Sequence, residues 1–201
     1  MSLSDRLKEQ AAKPRPQWRR RPEVLLHPNI PKPMHGLAPR VILGRVWWDR
    51  VRQIAYASTD YHCAACGVHK NDAKEHQWLE GHELYDINYA KGRMTYVETV
   101  PLCHWCHNFI HDGRLRMLYE TGDITLAKYE SIMKHGAAIL RAAKLKQPEP
   151  PKKIAPWESW RLVIDGREYE PKYKSQDNWL AVFHQPPEPD HRDDWGNTDA
   201  E

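Results

Sequence analysis

Two Cys-x-x-Cys pairs constrain this chain more than any other feature: Cys63 and Cys66 in "HCAACG", and Cys103 and Cys106 in "PLCHWCH", with 36 residues between the pairs. Two such pairs fit either two disulfides in a secreted chain or one tetrahedral metal site in a chain kept reduced. The opening "MSLSDRLKEQ" lacks an apolar signal-peptide core. No apolar run approaches the roughly 20 residues that a bilayer demands. The expectation is a soluble, cytoplasmic protein with no membrane partner. There, four thiolates suit a closed structural zinc site, each pair supplying one knuckle. A small core with few large aliphatic residues gains much from such a staple.

The rest of the chain is read around that staple. Its 201 residues are 40% hydrophobic and 28% charged, with 16 Pro and 10 Gly, which suits one modest domain with loose ends. Residues 1–40, with "KPRPQWRRRPEV" and "HPNIPKPMHG", are expected to form an extended basic arm, since proline at this density blocks helices and ladders. Apolar spacing predicts a helix over Arg45–Thr59. "WLEGHELYDINYAKGRMTYVETVPL" reads as two strands turning at "AKGR". "CHWCHNFIHD" reads as a short helix stopped near Gly113. Thr125 can cap a further helix running to about Leu145, with Leu126, Tyr129, Ile132, Met133, Ile139 and Leu140 as its core stripe. These elements give an α+β domain over residues 41–147. Residues 148–185 are expected to be a proline-rich linker and a small β segment, with a hairpin at Asp165–Gly166 and a strand at "NWLAVF". Residues 186–201 read as an acidic, disordered tail.

Charge follows the same division. Residues 1–60 carry 12 Lys and Arg against 5 Asp and Glu, whereas residues 148–201 carry 7 against 12. Such a balance fits a polyanion met from one side, or simply two solvated tails.

Histidines add a second cluster. His107 and His111 stand four apart, so a helix projects both from one face. His82 lies in the first expected strand. Strand, strand and helix can bring these three imidazoles to one ion and leave its remaining positions open to substrate.

Together "CAACG", "LEGHELYDI" and "VPLCHWCHNFIH" resemble the HNH endonucleases, the ββα-metal nucleases, in the subgroup that adds a four-cysteine zinc site. The resemblance spans Cys63 to His111, roughly a quarter of the chain. It implies a zinc-stapled ββα-metal core that hydrolyses phosphodiester bonds in DNA, by nicking or cutting, and a phage or prophage source. By position it makes His82, His107 and His111 the ligands of a second divalent ion (Mg2+, Mn2+, Ni2+ or Zn2+). It makes Glu83 the general base.

The chain departs from the family pattern twice. The base position is most often histidine, and a carboxylate with an ordinary pKa of about 4.3 is the weaker base. Glu98 stands where the family has its loop asparagine. An alternative register makes His82 the base and Asp86, further along the same strand face, a ligand. An alternative function is a catalytically weak or inactive zinc-stabilised module that binds DNA or a host protein, with Glu83 and Glu98 adding negative charge where phosphate must approach. In the arm, Trp18, Arg19, Arg20 and Arg21 are the expected phosphate contacts.

Overall fold

The hairpin expected around "AKGR" is the spine of the protein, whose computed structural model describes residues 18–183. The first seventeen residues of the expected arm and the acidic tail at 186–201 lie outside the described residues. Strand β1 (Glu80–Asn88) pairs antiparallel with β2 (Arg93–Leu102), from Glu80 opposite Leu102 to Asn88 opposite Arg93. The Lys91 N–H donates to Asn88 Oδ1 at 3.0 Å and closes the turn. A β-bulge between Leu84 and Tyr85 interrupts the strict alternation. His82 to Tyr85 are consequently four consecutive buried residues.

Helix α1 (Pro39–Ser58) crosses the hairpin and packs mainly on β2. Gly44, at φ 81° and ψ 175°, divides it, and the regular part begins at Arg45 as the periodicity predicts. That part buries Trp48, Val51, Arg52, Ala55 and Tyr56, a three- and four-residue spacing that lays one stripe on the sheet.

Beyond β2 come α2 (His104–Ile110), α3 (Asp112–Glu120) and α4 (Leu126–Ala142). Helix α2 is short and ends at Ile110, close to the expected stop near Gly113. The chain bends at His111 (φ −88°, ψ 48°) and continues as α3, because the His111 carbonyl still accepts the Leu115 N–H at 2.9 Å. Thr125 caps α4 as expected, its Oγ1 accepting the Lys128 N–H at 3.2 Å. Ile132 and Leu140 are buried, with Tyr129, Met133 and Ile139 beside them, but Leu126 is exposed. It sits in the first turn, whereas the close contact with α2 is further along, at Gly136, where a Cβ would stand 2.2 Å from the Phe109 ring.

Residues 18–40 correct the expectation of an extended arm. Pro22–Leu26 and Lys32–Met34 are single 3₁₀ turns, each with a proline in its first two positions. Proline blocks ladders, yet it is well suited to start a helical turn. The apolar residues of those turns are anchors. Val24 and Leu25 join Cys63, Leu102, Cys106, Leu115 and Ile132 in one core. Met34 joins Met94, Trp160 and Leu162 in a second.

The C-terminal segment is corrected too. Strands β3 (Arg161–Ile164) and β4 (Arg167–Tyr169) turn at Asp165–Gly166, both at positive φ. They extend the main sheet: β3 runs parallel to β2, with Leu162 opposite Met94, and the order is β1-β2-β3-β4. "NWLAVF" is not a strand but most of helix α5 (Gln176–Phe183). Ser175 starts that helix, its Oγ accepting the Asn178 N–H at 3.2 Å. A short apolar run has no period long enough to separate the two states. Among the described residues no helix is long and apolar enough to cross a membrane.

Candidate metal centres

Cys63 and Cys66 lie on the turn after α1, while Cys103 and Cys106 span the junction of β2 and α2. The two knuckles are held together by backbone: Ala64 N–H donates to Pro101 O at 2.8 Å. All four cysteines are free, and their sulfurs lie within 4.8 Å of one another. Cys66 Sγ and Cys103 Sγ are 3.7 Å apart. A tetrahedron with metal–sulfur arms of about 2.3 Å has edges of about 3.8 Å, whereas a disulfide closes to about 2.05 Å. The donor set therefore fits a structural metal ion and not two disulfides. Hydrogen bonds from Cys103, then Cys106 and Cys63, push the Cys66 thiol far down, while those to Cys103, Cys63 and Cys66 hold Cys106 up. His135 on α4 places Nε2 3.5 Å from Cys106 Sγ, a support that no spacing in the sequence announces.

The three expected histidines also meet. His82 comes from β1, His107 from α2 and His111 from the bend after it, with one ligand atom of each within 4.8 Å of the others. Ring centroids are 5.3 Å apart for His82–His107, 5.0 Å for His82–His111 and 4.7 Å for His107–His111. Burial, reinforced by His107, pushes His82 well below the ordinary histidine range and His111 down to about 3. Both are thus neutral at neutral pH, the form in which imidazole binds metal. Asp86 is exposed beyond the bulge and stands outside this cluster.

Two further residues serve the histidines without having been legible as site residues. His27, in the proline-rich segment, accepts the Tyr85 N–H on Nε2 at 3.0 Å, so its proton is on Nδ1, which faces His82 Nε2 at 3.2 Å. Burial lowers the His27 pKa to about 4. Glu80, at the start of β1, accepts from His107 Nδ1 with Oε2. That leaves His107 Nε2 to offer to an ion, the usual way a carboxylate orients a ligating imidazole. Burial alone would raise the Glu80 carboxyl, but His107 and His104 outweigh it and hold it below the usual carboxylate range.

Glu83 is buried, 7% exposed. Its Oε2 pairs with Arg40, and its Oε1 has no hydrogen-bond partner among the described residues. Arg40 acts electrostatically on both His82 and His111, so the pair borders the histidine cluster. Glu98 pairs with Arg21 at 2.8 Å. Arg21 is also tied through its own N–H to Ala64 O at 2.6 Å, and Trp18 stacks on His62 with centroids 4.8 Å apart. The Arg20 side chain lies against Gly67. Trp18, Arg20 and Arg21 thus lie at the first knuckle, and Arg19 and Arg20 are the exposed pair of the four expected phosphate contacts.

No protein-family model matches the chain, and comparison with curated proteins and with solved structures finds no significant match. Fold and site together define a mixed α+β chain with a four-cysteine metal-binding cluster.

Proposed function

We propose that the chain is an HNH-type endonuclease, a zinc-stapled ββα-metal protein that hydrolyses phosphodiester bonds in DNA and takes a second divalent ion. A phage or prophage source and a cytoplasmic place of action belong to the same reading. The observation that carries it is the meeting of His82, His107 and His111 from a strand and the next-but-one element, on a helix that also bears Cys106. Three imidazoles suit Zn2+ or Ni2+ and leave coordination positions open. An ion held there supplies charge stabilisation to the leaving 3′ oxygen.

In this reading Glu83 takes the proton of the attacking water. Its support is that it follows His82 on β1 and that Arg40, which pairs with its carboxylate, also acts on His82 and His111. His27 packs edge-on against the His82 ring, with centroids 5.0 Å apart. Glu80 keeps the His107 ring in orientation, accepting from its Nδ1. Arg19, Arg20 and the Trp18 ring contact phosphates of the duplex. The alternative, a binding module for DNA or a host protein, is favoured by the burial of Glu83. It loses its charge argument, since Glu83 and Glu98 each pair with an arginine.

Relaxation of supercoiled plasmid with Mg2+, Mn2+, Ni2+ or Zn2+ tests this. The wild type should nick, His111→Ala should not, and Glu83→Gln should bind the ion yet lose about 10²–10⁴-fold in rate. A folded wild type that binds DNA but never nicks it with any of the four would move the function to the binding module.

A further inference from the structure

A third cluster lies beside the histidine centre. We infer that His76, Glu80 and His104 form a separate cation site for a late first-row divalent ion such as Zn2+, Ni2+ or Co2+. The three residues come from different places: the loop before β1, the first residue of β1 and the first residue of α2. They converge through one atom each. His76 Nε2 and His104 Nδ1 are 3.0 Å apart, His104 Nδ1 and Glu80 Oε1 2.7 Å, and His76 Nε2 and Glu80 Oε1 3.9 Å. Ligands about 2.1 Å from one ion stand roughly 3.0 Å apart at right angles and roughly 3.4 Å apart at the tetrahedral angle. The observed separations bracket those values.

Proton bookkeeping favours an ion over a hydrogen-bonded triad. If His104 Nδ1 carries its proton, that single proton faces both Glu80 Oε1 and the His76 nitrogen. If Nδ1 is bare, a lone pair faces a carboxylate oxygen at 2.7 Å. A cation satisfies all three lone pairs at once. The His76 ring is also held in place. Trp78 stacks on His76 with centroids 4.1 Å apart and planes within 4°. The side chains of His76, Glu80 and His104 are 29%, 22% and 25% exposed, so the remaining coordination positions face solvent. Two imidazoles and one carboxylate select zinc-like ions over Mg2+ or Ca2+, which prefer all-oxygen shells.

Glu80 joins this site to its neighbour: Oε1 faces the new site, while Oε2 holds His107. The site itself does not depend on the nuclease reading, and the test keeps the two apart. Full-length protein is dialysed to equilibrium against excess Zn2+ and its metal content measured for the wild type, His76→Ala and His82→Ala. His76 is on a loop and belongs to neither the thiolate nor the His82 cluster, so its variant should melt as the wild type does. The expected contents are three ions per chain in the wild type and two in each variant. Should His76→Ala hold as many ions as the wild type, the site does not exist, whatever His82→Ala does. Loss of an ion in His76→Ala alone would support this site and end the assignment at His82.

Discussion

Replacing Gly136 with alanine sets two effects of opposite sign against each other. In an open helix interior the change stabilises by about 1 kcal/mol, because alanine is the better helix former. Gly136 is buried on α4, and the new Cβ would lie 2.2 Å from two carbons of the Phe109 ring and 2.5 Å from a third. None of those contacts is tolerable, so the ring or a helix has to move. Phe109 is itself only 8% exposed. Forcing an extra methyl into a packed core costs typically about 1–3 kcal/mol, and three ring atoms struck together place this case at the upper end. The net expectation is destabilisation by about 1–2 kcal/mol, which for a chain of this size lowers Tm by about 2–8 °C.

The substitution has a second consequence, because Phe109 lies between His107 and His111 on α2 and its bend. Moving it should weaken cobalt or zinc binding at the imidazoles and leave the thiolate ion in place. Thermal unfolding by circular dichroism, at one fixed excess of zinc for both proteins since metal concentration itself moves Tm, reads the first effect. Metal titration reads the second. An alanine variant with an equal or higher Tm and unchanged affinity would refute the tight α2–α4 contact.

Two other perturbations test the frame around the site. Leu25→Ala should cost about 2–5 kcal/mol in urea unfolding, because Leu25 is 2% exposed in the thiolate-side core; a change within about 0.5 kcal/mol, as a solvated arm would give, refutes that anchoring. Stripping metal with a strong chelator, or replacing Cys106 with Ser, should abolish cooperative unfolding and near-ultraviolet dichroism, since the ion's binding energy is folding energy. A stripped sample melting within a few degrees of the loaded one would show that the knuckles fold alone.

What was legible in the sequence had a short-range physical signature. The cysteine pairs, the hairpin around "AKGR", the Thr125 cap and the Asp165–Gly166 turn are each determined within a few residues, and each is where the sequence places it. His82, His107 and His111 were legible because strand–strand–helix geometry brings them together. His27, His76, Glu80, His104 and His135 were not, since their partners are set by packing between segments with no common period. Proline density was misleading for residues 18–40. It excludes long ladders, but it says nothing about whether Val24, Leu25 and Met34 find a core. The parallel pairing of β3 with β2 is likewise invisible, because only three residue pairs fix it across a long connection.

Charge counted along the chain and charge paired in space lead to different expectations for DNA. In sequence, Glu80, Glu83 and Glu98 crowd the hairpin that would face phosphate, and three carboxylates there would repel it. In space two of them pair with an arginine from elsewhere, and the third is hydrogen-bonded by histidines. Arg40 covers Glu83, Arg21 covers Glu98, and His104 and His107 hold Glu80. The Arg21–Glu98 pair is about two-fifths exposed on both sides, and such pairs contribute little to stability, about 0–1 kcal/mol. Its effect is local: within a Debye length of about 8–10 Å it removes the net negative charge that would oppose a duplex. That gives the anchored segment a reason to cross the knuckle. The same residues that bury Val24 and Leu25 deliver Arg21 to Glu98 and His27 to His82, and leave Arg19 and Arg20 exposed at the same edge.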